Sequence, residues 1–208
     1  MLPAVGQQAL VQPANVWQLA AVEPFTPPGP CPELARRQTL YRVCDDQRVL
    51  FREAIDAARH SGKLLLVTFG ATWCPSCRSF STQLEQAADS ETSPASRFTR
   101  VEIAISTIKD GRRVPVATGE DVLHRVLAAS APGTSVRSVP FIAVVDPNNA
   151  ARSFTRNLDD AEVASGGAFD LQRIGAILTQ ADAHMRQGAE APSEPGWFRR
   201  KLRRWFAI

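Results

Sequence analysis

The chain has 208 residues, with 24 Lys and Arg against 21 Asp and Glu and a formal net charge of +3. Five of the basic residues lie in the last twelve, 197–208, so residues 1–196 hold 19 basic and 21 acidic residues and carry −2. That body offers no broad basic surface, which argues against nucleic acid as a partner. With 44% hydrophobic and 22% charged residues, the composition is that of one globular domain with extensions.

The N-terminal segment, residues 1–44, is rich in proline: seven of the fifteen prolines lie in residues 1–32. Proline removes a backbone donor and blocks helices and central strands, so this segment is predicted to be an extended arm. The first residues lack the basic and apolar regions of a signal peptide. No stretch approaches the ~18 apolar residues of a membrane-spanning helix.

The middle of the chain, 45–186, alternates between helical and strand patterns. In chain order we predict a helix over 45–61, a strand over 64–69, a helix over 75–88, a strand over 99–105, a helix over 121–129, strands over 141–145 and 151–155, and a helix over 170–186. A tight turn at 147–149 joins the last two strands as an antiparallel hairpin. This order, β-α-β-α-β-β-α after a leading helix, predicts an α/β domain with a mixed sheet covered by helices.

The chain ends in a linker and a basic tail. Residues 187–196 have the composition of a linker, and 197–208 follow it. Read as a helix, the tail places on one face its apolar residues Phe198, Leu202, Trp205 and Phe206. A basic amphipathic helix of this kind suits the surface of an anionic membrane. Docking on the parent domain or in a groove of a partner protein is the alternative.

The sharpest motif is Trp73-Cys74-Pro75-Ser76-Cys77, which follows a buried strand and begins a helix. Two cysteines at this spacing can close a small disulfide. The free N–H groups and the dipole of the helix N-terminus favour a thiolate at Cys74. Pro75 suits the first helical turn because its missing N–H would have no partner there. The motif therefore predicts a redox-active pair.

Two other interpretations of this motif remain open. C-x-x-C is half of many zinc sites, but Cys31 and Cys44 stand in a proline-bearing segment and do not form the second half. The histidines suggest no metal site either, since they fall on separate predicted elements: His60, His124 and His184. A buried structural disulfide without turnover is the second alternative. The strand-loop-helix context favours redox chemistry, and no metal is expected.

Residues 64–78 (LLLVTFGATWCPSCR) and 138–146 (SVPFIAVVD) together resemble the thioredoxin superfamily. The first segment is similar to its active-site strand and helix, and the second to its cis-proline strand. The resemblance covers about residues 62–186 and is nearest to thioredoxin-like domains of exported thiol:disulfide interchange proteins. It implies a thioredoxin-like fold and a thiol:disulfide oxidoreductase, with the direction of electron flow open.

The resemblance also implies roles for individual residues. Cys74 would be the attacking thiol and Cys77 the resolving thiol. Pro140 would be a cis residue facing them. Val139 and Trp73 are candidate substrate-binding residues beside it, with Trp73 shielding the site; an aromatic side chain packed in the core is the alternative for Trp73. The partners would be protein thiols or disulfides and an upstream redox protein, with no cofactor beyond the disulfide itself.

One position departs from the family pattern. Cytosolic thioredoxins carry a buried Asp six residues before the first cysteine, and here that position is Thr68. Threonine cannot accept a proton as a carboxylate does. Glu102, on the predicted second strand, is a candidate proton acceptor if it points toward Cys77. A solvent-facing Glu on a strand is the simpler interpretation.

The remaining cysteines, Cys31 and Cys44, are predicted to form a structural disulfide that pins the arm beside the first helix. Such a loop contributes about 3 kcal/mol in the chain-entropy model. Free thiols and a relay of electrons to the C-x-x-C pair are the alternatives. A structural disulfide favours an exported protein in an oxidising compartment such as the periplasm, with the cytoplasm as the alternative.

A second class of function fits the long extensions. A non-catalytic thioredoxin-fold subunit of a larger assembly would use the arm and the tail as partner contacts. The intact C-x-x-C motif favours the enzyme.

Overall fold

A computed structural model of the chain describes Trp17 and residues 25–27, 40–90, 92–130, 133–158 and 169–187. Most of the predicted arm lies outside these residues. The predicted tail, 197–208, also lies outside them, and so does the predicted linker apart from residue 187. The amphipathic helix and its membrane or protein contact therefore stay predictions.

The described residues form four helices and five strands. The helices are α1 (Gln47–Ser61), α2 (Pro75–Ala88), α3 (Ala117–Ser130) and α4 (Leu171–Gln187), and the strands are β1 (Leu64–Ala71), β2 (Phe98–Lys109), β3 (Arg112–Pro115), β4 (Phe141–Asp146) and β5 (Asn149–Asn157). A short 3-10 helix, Pro94–Arg97, precedes β2. Within these ranges, none of the helices has the length and apolar character needed to cross a bilayer.

The fold is the predicted α/β arrangement with one strand more. β3 was not predicted because Arg-Arg-Val-Pro has no alternation of its own. It forms by pairing with the end of β2 across a turn at Asp110 and Gly111, whose φ angles are 51° and 72°. Asp-Gly is a strong hairpin signal because both turn residues need positive φ. The sequence therefore held a signal for this strand that the prediction overlooked.

The sheet has the order β3-β2-β1-β4-β5, with β1 and β2 parallel and every other neighbouring pair antiparallel. The prediction of a single hairpin is therefore corrected to two, with β4 antiparallel to β1 as well. Phe141, the first residue of β4, pairs with Phe69 near the end of β1. After α3 the chain thus comes back to the end of the sheet where β1 ends. No local pattern in the sequence predicts this path.

Both faces of the sheet are covered, which explains the continuous apolar run of β1. Val67 and Phe69 pack toward α1 and α3, in a cluster that includes Phe51 and Val122. Leu66 packs toward α2 and α4, in a second cluster that includes Phe80, Leu84 and Ile174. β1 is therefore the central strand of the sheet and is buried up to its end.

Trp17, from the predicted arm, lies in the core. The Trp17 side chain is 4% exposed and meets the Phe51 ring edge-on at 5.8 Å between centroids. Its indole N–H donates to the Asp146 carbonyl at 3.2 Å. A large aromatic side chain with its polar atom satisfied is well suited to such an anchor. Part of the segment before the domain is thus fastened to its α1 side.

Candidate active site

The C-x-x-C motif lies where the buried strand β1 turns into α2. The Cys74 backbone N–H donates to the Ala71 carbonyl at 3.1 Å, which closes the turn. Cys74 is the N-cap of α2, with extended backbone angles, and Pro75 follows in the first helical turn. The Cys77 backbone N–H points back to the Cys74 sulfur at 3.1 Å. The sulfur thus takes the place of the oxygen that usually caps a helix.

Cys74 and Cys77 are joined by a disulfide, with their Cα atoms 5.3 Å apart. The exposed fraction is 3% for Cys74 and 0% for Cys77. The Ser76 hydroxyl lies 3.3 Å from the Cys74 sulfur. Cys74 is therefore the more exposed cysteine of the pair. When the pair is reduced, the Cys77 N–H and the helix dipole stabilise a thiolate there.

The loop before β4 lies against this disulfide. The Val139–Pro140 peptide bond is cis. The Val139 carbonyl oxygen is 3.8 Å from the Cys74 sulfur, although the two residues are 65 apart in sequence. The Pro140 carbonyl accepts from the Leu158 N–H at 3.1 Å, which ties the loop to the end of β5. The two segments that resemble thioredoxin are thus brought together at one end of the sheet.

Trp73 lies next to the disulfide in sequence and packs against its surroundings. Its side chain is half-buried and packs against the cluster that contains both cysteines. The Arg113 guanidinium, from β3, lies over the indole with its central carbon 3.8 Å from the ring centroid. The indole N–H is buried and has no hydrogen-bond partner among the described residues. Arg113 was not predicted at the site because its strand was not predicted.

Tyr41, the only tyrosine of the chain, forms the inner wall of the site. It is fully buried in the same cluster as the two cysteines and has a φ of 50°. The Ser81 hydroxyl, one helical turn after Cys77, donates to its phenol oxygen at 3.4 Å. Burial raises the pKa of the Tyr41 phenol above its ordinary value. No motif identified Tyr41, since it lies in a segment that sequence reasoning assigned to the arm.

Glu102 lies on the side of the sheet that faces α2. It pairs in register with Thr68, so the two side chains share a face of the parallel pair β1 and β2. Glu102 lines a cavity of about 480 Å³ whose walls also include Ser81 and Glu85. Burial raises the pKa of the Glu102 carboxyl, against a smaller lowering effect of Arg100.

The other predicted sites are described only in part. Cys44 is disulfide-bonded. Its predicted partner, Cys31, lies outside the described residues, so the Cys31–Cys44 pairing stays a prediction. Within the described ranges, no group of three or more His, Cys, Asp or Glu side chains is arranged to hold a metal ion.

Residues 49–147, which include the C-x-x-C motif and the cis-proline loop, match a family model described as thioredoxin-like. A solved structure, the disulphide isomerase from Xylella fastidiosa Temecula1, is 22% identical over 65% of this chain and 91% of that chain, with a TM-score of 0.42. No curated protein matches the chain. The resemblance seen in the sequence is confirmed: the chain contains a thioredoxin-like domain.

Proposed function

We propose that the protein is a thiol:disulfide oxidoreductase that exchanges electrons with protein thiols or disulfides. The observation that carries the proposal is the Cys74–Cys77 disulfide at the N-terminus of α2, with the Cys74 sulfur accepting the Cys77 N–H. A purely structural disulfide needs neither a helix N-terminus nor a cis-proline loop against it. This pair has both.

The reaction needs only the two cysteines. In the reducing direction, the Cys74 thiolate attacks one sulfur of a substrate disulfide, and the other substrate sulfur leaves as a thiolate that takes up a proton. The Cys77 thiolate then attacks the Cys74 sulfur, which releases the second substrate thiolate and restores the disulfide. The substrate gains two electrons and the pair loses them. An upstream dithiol protein would return them, and the reverse sequence oxidises substrates.

Attack by Cys77 requires that its thiol first lose a proton. Glu102 is our candidate for the acceptor, because Thr68 cannot accept a proton at the position where thioredoxins carry an acid. Its support is the shared cavity with Ser81, which lies one turn from Cys77 on the same face of α2. The raised pKa of the Glu102 carboxyl brings it nearer to the pH at which a base works best.

Trp73, Val139 and Pro140 are proposed to contact the substrate. The Val139 carbonyl lies beside the reactive sulfur and can accept a backbone N–H from an extended substrate. Pro140 has no N–H to compete for the thiolate. Trp73 offers a broad apolar surface next to Cys74.

The test is an insulin reduction assay with dithiothreitol as the electron source. Wild type is expected to accelerate reduction, and Cys74→Ser to abolish the acceleration. Cys77→Ser keeps the attacking thiol and lacks the resolving one, so it is expected to accumulate a mixed disulfide with the substrate, visible by non-reducing electrophoresis. Ser90→Ala, on the exposed turn after α2, is the control. Absence of activity in wild type together with absence of a trapped adduct would leave the non-catalytic subunit as the better account.

We also propose that the protein works in an oxidising compartment outside the cytoplasm, such as the periplasm. The disulfide at Cys44 supports this, because such bonds persist where thiols are not kept reduced. Acid trapping of the thiols in producing cells, followed by alkylation, reads the state of Cys44 directly. A fully reduced Cys44 in the cell would contradict the proposal.

A further inference from the structure

Two hydrogen-bond donors beside Cys74 have no acceptor among the described residues. The Trp73 indole N–H is buried without a partner. The Arg113 guanidinium carbon lies 3.8 Å from the centroid of the same indole, and Arg113 takes part in no ion pair with another described residue. A buried N–H without an acceptor is a costly feature that native proteins rarely keep. A ligand group that accepts hydrogen bonds from both donors would remove this cost.

We propose that Trp73 and Arg113 form a carboxylate-binding site, which recognises an Asp or Glu side chain next to the reacting cysteine of a protein substrate. The inference rests on the proposed function and names its substrate class. A carboxylate has only acceptor atoms, two oxygens that can accept from a guanidinium and an indole N–H at once. Arginine suits this role because its planar fork matches a carboxylate.

The surroundings of the site also favour an anion. Arg112 adjoins Arg113 on the exposed strand β3, and Arg78, from the first turn of α2, donates to the Thr72 carbonyl at 3.0 Å. The segment that carries Trp73 thus contacts two cations, Arg78 and Arg113. Asp110, in the β2–β3 turn, is the acid nearest to Arg112 and Arg113 along the chain, and Glu85 is the acid nearest to Arg78. The local excess of positive charge would draw an acidic substrate segment toward Cys74.

The contact between Arg113 and Trp73 leaves the cation available. Arg113 is exposed, and a cation over an aromatic ring at an exposed site is a weak interaction. A charge-assisted hydrogen bond to a carboxylate is stronger, so the guanidinium would move toward the incoming oxygen. Arg113 would act as a specificity-determining residue, and the chemistry would stay with the cysteines.

The first test measures binding without any reaction. Two peptides with Ser in place of the reacting cysteine, one with Glu beside it and one with Gln, are titrated into the oxidised protein. The signal is the indole N–H resonance of Trp73, assigned by its loss in Trp73→Phe. We expect the Glu peptide to shift this resonance and to bind about tenfold more tightly than the Gln peptide at low salt. The difference should shrink as salt screens the charges.

Two variants make the test specific. Arg113→Gln is expected to bring the two affinities together. Arg52→Gln removes the same charge from an exposed position on α1 and is expected to leave the preference for Glu unchanged. Equal affinities in wild type, an unmoved Trp73 resonance at millimolar peptide, or the same loss of preference in Arg52→Gln would each overturn the proposal.

A second test uses the matching cysteine peptides as disulfide dimers. The ratio of kcat/KM for the Glu dimer over the Gln dimer is compared between wild type and Arg113→Gln, which cancels the intrinsic reactivity of each peptide. We expect the ratio to fall about tenfold in the variant. An unchanged ratio would count against the site. If neither dimer is reduced while the Glu-Ser peptide still binds, the proposed function fails and the carboxylate site stands.

Discussion

Tyr41 packs so closely on Gly70 that a single added methyl group has no room. A Cβ atom at Gly70 would lie 2.5 Å from Cζ of Tyr41 and 2.6 Å from its Cε1 and hydroxyl oxygen. Carbon atoms in contact prefer ~3.5–4.0 Å, so Gly70→Ala creates an overlap of about 1 Å. The ring cannot easily retreat. It is fully buried, its hydroxyl meets Ser81, and its backbone already has positive φ.

The size of the effect follows from these contacts. We expect Gly70→Ala to lower the free energy of unfolding by about 3 kcal/mol, the upper end for an overpacked core. Tyr41→Ala alone should cost about 3–5 kcal/mol through the cavity it leaves. In the double variant the new methyl group enters the vacated space, so its own cost should largely disappear. The double variant should then be about 2–3 kcal/mol more stable than the sum of the single effects predicts.

Urea unfolding of the oxidised protein, followed by circular dichroism, gives the four free energies. Equal m-values in the four proteins are required for the comparison. Gly175→Ala is the matched control: this glycine lies in α4 with open space around its Cα, so the change should raise stability by about 1 kcal/mol. Effects of Gly70→Ala and Tyr41→Ala that add to within about 0.5 kcal/mol would refute the packing argument.

Further predictions concern the anchor, the acid and a buried amide. Trp17→Ala should lower the free energy of unfolding by about 3–5 kcal/mol, and Trp17→Phe, which keeps a ring against Phe51, by less; equal losses would argue against the anchor. Burial raises the pKa of Glu102, so the folded state binds this proton more tightly than the unfolded state. Glu102→Gln should therefore stabilise the protein at pH 8 and make no difference below the unfolded pKa of about 4.3; a gain independent of pH would contradict this. The Gln47 amide donates to the Arg42 and Asp45 carbonyls and accepts from the Ala104 N–H, so Gln47→Leu should cost about 2–4 kcal/mol in the same assay, and exposed Gln172→Leu almost nothing.

Local signals were enough for most of the secondary structure. The apolar run of β1 and the cap at Cys74 with Pro75 predicted the strand and helix that carry the cysteines. The bounds of α2 are as predicted, whereas α3 was predicted over 121–129 and begins earlier, at Ala117. The features that were not predicted depend on contacts with strands that are distant in sequence. β3 exists because it pairs with β2, and the direction of β4 depends on where the chain returns after α3. The hydrogen bonds between paired strands stabilise these elements, and the sequence of one segment alone does not show which strand it will pair with.

The same division holds for the site. The sequence by itself identified the Cys74–Cys77 pair, because a thiol at a helix N-terminus needs only residues within one turn. It also pointed to Pro140 through a resemblance. Only the tertiary structure decided what surrounds the sulfurs, placing Tyr41 behind them, Arg113 over Trp73 and Glu102 in a shared cavity. These side chains come from segments that are far apart in sequence. They become neighbours only when the strands pair and the core packs, so no local pattern can predict their surroundings.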